Sequence, residues 1–300
     1  MAVPASVAEV LMLPGARSQS PAARAWRRLW SSPVARAGIV IVCAFSPIAV
    51  LTPVVHDYDA MTDSNLALRL KPPTGEHPFG TDSLGRDILI RVLHGTRVSL
   101  GLGVSAVAIA AVLGSLIGLV AGYAGRRVDL FLMLCMDIVL AFPSTLLAIA
   151  IVAMIGPGLR NSLLAISLVS VPVYARIGRA AVLELREQEF VTAARGIGGN
   201  DRRVLLGHIF PNSLPPLIVQ TSLAISSAIL EAAALGFLGL GAQPPTPEWG
   251  AMLADSYKYF TSGSWWAFFF PGAAIMLAVL GFNLLGDGLR DALDPRLRTD

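Results

Sequence analysis

The residues that could do chemistry in this chain are few, and they are charges placed where charge is costly. Asp137, Arg176, Arg179 and Glu231 all fall inside or at the edge of long apolar runs. An ionised side chain in lipid is expensive unless it is paired or wetted. Asp137 has two readings: it pairs with Arg176 or Arg179 and staples two helices, or it reaches the headgroups. Glu231 either lines an aqueous path or makes a structural hydrogen bond to a neighbouring helix. His77 and His94 show no Cys or acidic partner at ligand spacing, so both are expected as solvated loop histidines and no metal site is expected.

Covalent catalysis by this chain alone is not expected, given what is missing. The only lysines are Lys71, before a proline, and Lys258, before a tyrosine, so no phosphate-binding Gly-x4-Gly-Lys-Ser/Thr loop exists. Neither a His-Glu-x-x-His nor a Gly-x-Ser-x-Gly pattern occurs, and no basic, aromatic-laced patch suits nucleic acid. If the chain moves something uphill, the energy comes from an ion gradient or from another subunit.

The elements that position these charges are set by composition. Of 300 residues, 54% are hydrophobic and only 14% charged, and mean hydropathy is +0.65. A soluble domain carries roughly 25% charged residues, so lipid is the expected solvent. Six apolar runs have spanning length: 37–55, 98–122, 130–155, 162–181, 217–240 and 265–285. They do not alternate, which predicts helices rather than barrel strands. Gly103, Ala106, Ala110, Gly114, Gly118 and Gly122 form a small-residue stripe along the second run, which lets a neighbouring helix approach closely. Cys43 and Cys135 lie in apolar runs and are expected as inert buried thiols.

Basic residues orient the bundle. Sixteen of the 23 lie before the first run, at Arg126-Arg127, between Arg176 and Arg203, or after the last run. The positive-inside rule then predicts both termini in the cytoplasm. Trp26, Leu29 and Trp30 among arginines suggest a helix on the inner membrane surface, leading into an uncleaved first span. Residues 248–260 are expected as a short surface helix, with Trp249, Tyr257, Tyr259, Trp265 and Trp266 at the water–lipid boundary.

The longest polar interruption in the second half, residues 184–216, reads as two short helices joined by a glycine elbow. Phe190, Val191, Ala194 and Ile197 make one apolar side of the first, and Gly198-Gly199 supplies the left-handed backbone that ends it. Asn200 or Asp201 caps the second, Val204, Leu205, Ile209 and Phe210 give it an apolar side, and Pro211 is expected to stop it. Such order suits a rigid part that another protein grips.

This stretch resembles the cytoplasmic motif of the permease subunits of bacterial ABC importers, Glu-Ala-Ala-x3-Gly-x9-Ile-x-Leu-Pro. Thr192 stands for the glutamate, Ala193, Ala194, Gly198 and Pro211 match, His208 takes the isoleucine place and Phe210 the leucine place. FGTDSLGRD (79–87), ALGFLGLGAQPPTPEWGAML (234–253) and FNLLGDGLRDALDPRL (282–297) resemble the dipeptide and oligopeptide importers, and PNSLPPLIVQTSL (211–223) is most similar to their DppC type.

The resemblance, which runs from about 22 to 298, implies an all-α integral membrane protein: a type I ABC importer permease bundle with six transmembrane helices and N-in/C-in topology, in the bacterial inner membrane. The expected organisation is a cytoplasmic tail at 1–36, a first span at 37–55 and a periplasmic loop at 56–97. A five-helix core follows at 98–286, with coupling helices at 184–214, and a cytoplasmic tail at 287–300. The implied partners are a homologous second permease, two ABC ATPase subunits and a periplasmic or lipid-tethered binding protein. ATP and Mg would sit on the ATPases and no cofactor on this chain, which is expected not to be an enzyme. The coupling motif would comprise Thr192, Ala193, Ala194, Arg195, Gly198, His208, Phe210 and Pro211. A dipeptide or short peptide is the implied cargo. The same architecture importing an oligopeptide, glutathione, a nickel chelate or haem is the alternative, and an ion-coupled secondary transporter a more distant one.

Overall fold

Nearly every long apolar run becomes a helix, as continuous hydrophobicity in lipid requires, because only a helix satisfies its own backbone there. In the computed structural model, residues 21–55 and 64–293 are described, and the expectations for 1–20, 56–63 and 294–300 lie outside them. The helices are α1 (Pro21–Ser31), α2 (Pro33–Val55), α3 (Ile88–Tyr123), α4 (Arg126–Leu140), α5 (Ser144–Ile155), α6 (Leu159–Leu185), α7 (Glu189–Gly196), α8 (Asp201–Val204), α9 (Phe210–Phe237), α10 (Trp249–Phe260) and α11 (Trp266–Leu293). The described residues contain no strand, only an isolated bridge between Thr81 and Asp87. Among the described residues, five helices are long and apolar enough to cross a membrane, or six spans if α4 and α5 count as one.

α3 is the axis of the bundle, with α6, α9 and α2 against it. The small-residue stripe serves two neighbours. A Cβ on Gly103 would lie 2.8 Å from Ile229 of α9, whereas one on Gly114 would lie 2.5 Å from the Val171 carbonyl of α6. At Gly118 the added carbon would overlap the backbone at Ala175 and come within 2.8 Å of Arg179 N. Here backbone meets backbone, so dispersion and close approach hold the pair together where lipid offers no hydrophobic drive. On the far side α11 joins α2 and α9. Gly281 and Gly288 admit Ile41 and Ala35, and Ser226 donates a 2.6 Å hydrogen bond to Asn283.

Several expectations need correction. The run 130–155 is not one straight helix: α4 and α5 meet at 86° across Ala141–Pro143. Pro143 cannot donate to a continuing ladder and fixes the φ from which α5 restarts. The loop after α2 does not extend to Arg97, because Asp87 caps α3 by accepting from Ile90 N at 3.1 Å. His94 is therefore a buried residue of α3, and His77 is paired with Asp87 (Nδ1···Oδ2 2.7 Å), so neither is a freely solvated loop histidine. Cys43 is exposed on α2 rather than buried, and Cys135 is half-buried.

Pro211 does not stop a helix either. Asp201 to Phe237 runs on continuously, through one wide π turn, Leu205–Ile209, in which Phe210 N donates to Leu205 O. Proline lacks a donor and its ring crowds the carbonyl a turn back. Widening that turn removes the conflict, and Asn212 Nδ2 donates instead to His208 O at 2.7 Å.

The expected helix at 248–260 forms as α10, but only its C-terminal half, with Tyr257 and Phe260 exposed, lies at the surface. Its first residue, Trp249, expected at the water–lipid boundary, is instead 0% exposed and donates its indole N–H to Val92 O at 3.1 Å. Trp266 is also buried and donates to Thr81 O at 3.3 Å. Trp265 and Tyr257 remain exposed as anchors should.

Candidate functional site

The elbow at 189–211 is built from its own backbone upward. α7 ends in a Schellman motif: Gly199 N donates to Ala194 O and Gly198 N to Arg195 O, both at 3.0 Å, with Gly198 at φ +89°. Asn200 then caps α8, its Oδ1 accepting from Arg203 N at 2.8 Å. A Cβ on Gly199 would sit 2.6 Å from the Ala194 carbonyl, so the second glycine is required by space rather than by φ. Chain reversal takes only a few residues, and every one of them is constrained.

Packing then fixes the elbow to the bundle. Val191, Ala194, Val204 and Ile209 are buried in a small core with Leu119 of α3 and Val182 of α6, and Tyr123, Leu185 and Phe210 close around it. Polar contacts reinforce the same joint. Tyr123, the last residue of α3, donates to Asp201 Oδ1 at 2.5 Å and accepts from Arg195 Nη2 at 3.4 Å. The Arg195 guanidinium also lies 5.8 Å from the Tyr123 ring centre. Arg186 donates to Gly122 O at 3.1 Å. The elbow is thus packed and hydrogen-bonded against the ends of both α3 and α6.

The expected residues divide between two sides of this joint. Ala194 points inward and Phe210 and His208 are half-buried, while Thr192, Ala193, Arg195, Gly198 and Pro211 are exposed. The apolar set expected on one side of α7 is split: Val191 and Ala194 are buried, while Phe190 and Ile197 face out with Leu206, Ile197 being 89% exposed. The outer side is thus an apolar patch rimmed by Arg195, Arg202 and Arg203.

Beside the elbow, α4 and α6 are joined by two ion pairs. Arg176 Nη2 lies 2.6 Å from Asp137 Oδ1. Arg179 is not the partner of Asp137; it forms a bidentate pair with Asp129, with Nη2···Oδ2 at 2.6 Å. Asp129 carries a signal of its own in the sequence: antiparallel helices match the arginine nearer the turn with the aspartate nearer the turn, which leaves Arg179 for Asp129. An open cavity of about 650 Å³ lies over these pairs. Glu231 is half-buried on α9 and has Ser144, the first residue of α5, as a polar neighbour.

Two buried clusters at the opposite end of the bundle went unnoticed in the sequence. In the first, Asp82, Arg86 and Arg91 are each about 5–6% exposed. Asp82 Oδ2 accepts from Arg86 Nε at 2.7 Å and from Arg91 Nη1, and Oδ1 accepts from Leu84 N and Arg86 N at 2.8 and 3.0 Å. Burial alone would push this carboxyl up, but Arg91, Arg86 and the two backbone donors outweigh it and hold it below the ordinary 3.8. In the second, Glu248 caps α10, accepting from Gly250 N and Ala251 N at 2.8 Å each and from Ser99 Oγ at 3.2 Å. Its burial pushes the carboxyl up despite those donors. The local signals were present, an Asx turn at Asp82 and a cap at Glu248, but their partners on α3 are supplied by folding.

Comparison with known proteins places this arrangement. Residues 114–299 match the family described as binding-protein-dependent transport system inner membrane component. The chain belongs to that family. Residues 20–73 match the N-terminal TM domain of oligopeptide transport permease C. The permease is 50% identical over 280 residues to the dipeptide transport system permease protein DppC of Alkalihalophilus pseudofirmus, covering 93% of this chain and 91% of the relative. It is 47% identical to the di/tripeptide transport system permease protein DppC of Pseudomonas aeruginosa, with 93% of each covered. Among solved structures, the MetNI methionine ABC transporter in an inward-facing conformation matches at TM-score 0.56 and 17% identity, over 69% of this chain and 98% of that one. The fold is therefore that of a type I ABC importer permease, and the chain is a multi-pass inner-membrane permease, the transmembrane subunit of an importer.

Proposed function

We propose that this permease forms half of a translocation path for dipeptides or short peptides, and that residues 189–211 are the handle by which an ATPase subunit moves it. The cargo reading rests on two relatives, the dipeptide transport system permease of Alkalihalophilus pseudofirmus and the di/tripeptide transport system permease of Pseudomonas aeruginosa. The handle reading rests on one observation: an elbow locked at Gly198-Gly199 and fastened to α3 and α6 presents an exposed patch of Phe190, Ala193, Ile197 and Leu206.

A lever transmits motion only if it is stiff, and this one is fastened at both arms. The apolar patch suits a groove, and Arg195, Arg202 and Arg203 suit rim ion pairs that set orientation more than affinity. ATP and Mg belong on two ATPase partners, and a second permease and a peptide-loaded binding protein complete the path. The handle then lies in the cytoplasm, with both termini on the same side. Thr192 in place of glutamate leaves this end of the motif without a charge.

Gly198 tests the handle. A Cβ there meets nothing within 4 Å, but φ +89° strains any β-branched side chain. Gly198→Val is expected to abolish peptide-stimulated ATP hydrolysis in the reconstituted complex while the chain still inserts and assembles. Normal coupled transport by that variant would refute the lever.

A further inference from the structure

The elbow end of the bundle is crowded with ion pairs; the opposite end holds two arginines that are not. Arg97 on α3 and Arg160 on α6 are both exposed. Among the described residues, neither is paired with a carboxylate. Each stands where its helix enters the hydrocarbon: Arg97 directly before the apolar run from Val98, and Arg160 two residues before Ser162. Both guanidiniums line the same cavity of about 610 Å³ between α2, α3 and α6.

That cavity is one of a pair. A second, of about 570 Å³, lies between α2 and α3, and the two share Pro53, Arg97 and Gly101. Most of the wall surface is apolar: Val50, Val54 and Val104 line the second cavity, while His94, Ser105 and Thr246 join the apolar residues of the first. Two largely apolar cavities thus adjoin at Arg97, with Arg160 on the first, where the sequence places the outer ends of the apolar runs. Each has the volume of an ordinary small-molecule site, about 300–1,000 Å³.

We propose that this junction binds a diacyl phospholipid, with the phosphate on Arg97 and Arg160 and one acyl chain in each cavity. The guanidinium fork matches a phosphodiester oxygen pair, and the arginine stem packs along the apolar wall. A peptide cargo fits the walls poorly, since its backbone N–H and C=O groups would be desolvated against valine and proline. Basic pockets between transmembrane helices are a recognised way to hold an anionic headgroup.

The experiment is native mass spectrometry of the assembled importer, stripped of lipid and then offered phosphatidylglycerol or a diacylglycerol of the same chains. The wild-type complex is expected to retain phosphatidylglycerol and not diacylglycerol. Arg97→Gln with Arg160→Gln should lower retention about tenfold, as expected for losing a charge-assisted contact. Gly101→Trp, whose site has open space around the added Cβ, should plug both cavities and lose the lipid with the arginines intact. Unchanged retention in both variants overturns the site, as does equal binding of diacylglycerol. Loss of the second permease from the complex, or a raised KM for peptide with the lipid count unchanged, overturns it as well. The first result would assign the arginines to a subunit interface and the second to cargo.

Discussion

Asp82 shows how much one side chain can hold when it sits between two buried arginines. Removing it leaves two guanidiniums inside the protein with no counter-charge, a loss of about 3–5 kcal/mol for a buried pair. Asp82→Asn is therefore expected to lower the thermal stability of the purified complex by that order. The pH dependence has a definite sign. The folded carboxyl titrates below the unfolded one, so its contribution is complete above the ordinary value of 3.8 and is lost as pH falls through the folded value. Thermal unfolding followed from about pH 7 to about pH 3 should show an acid limb in the wild type that is flatter in Asp82→Asn. An equally steep limb would place the acid sensitivity elsewhere. At this scale the sequence was only partly legible. Asp137 and Arg176 stand out as charges inside apolar runs, whereas Asp82 and Glu248 lie in polar loop sequence and Asp129 at a helix start, where a charge is ordinary until the fold buries or pairs it.

At the scale of elements, α3 is decided by absence of side chain. Gly118→Val would drive a branched group into the backbone of α6 at Ala175 and Arg179, where nothing can rotate away. Separating the two helices also uncovers the seat of the elbow core at Leu119 and Val182. The expected result is loss of folded protein in detergent, at a cost of about 1–3 kcal/mol or more. Gly101→Val on the same helix meets no atom within 4 Å and is expected to elute and melt as the wild type does. Size-exclusion chromatography and thermal melting of the two side by side would decide. A stable Gly118→Val would mean that α3 and α6 do not depend on close contact. The stripe itself was readable from spacing. Its division between α6 and α9 was not, since spacing tells which face is small but not who faces it.

The whole molecule joins two ends of different character. One carries the elbow, fastened to α3 and α6 and flanked by the Asp129–Arg179 and Asp137–Arg176 pairs. The other is closed by loop residues 64–87 and α10, locked through Asp82 and Glu248 onto α3. α3 spans both, so a rotation forced at Tyr123 reaches Arg91 and Ser99 through one continuous helix. The orientation is checked with Ile197→Cys in a background where Cys43 and Cys135 are replaced. Ile197 is fully accessible in the isolated chain, and a membrane-impermeant thiol reagent should label it in inside-out vesicles and not in intact cells. Labelling in intact cells would reverse the topology and remove the handle from any cytoplasmic ATPase.

What the sequence determined by itself was whatever depends on local composition and short spacing. Long apolar runs demanded helices, Gly198-Gly199 and Asn200 demanded a tight elbow, and the motif order from 79 to 297 marked the family. Tertiary structure decided what depends on neighbours brought from afar. It bent 130–155 by 86° at a proline, carried a helix through Pro211 by widening one turn, and buried Trp249 instead of anchoring it in lipid. It also turned Ile197 outward while Val191 and Ala194 went in, because the ends of α3 and α6 cover only one side of α7. The physical reason is the same in each case: backbone preference is written within a few residues, while burial is set by the surface that arrives opposite.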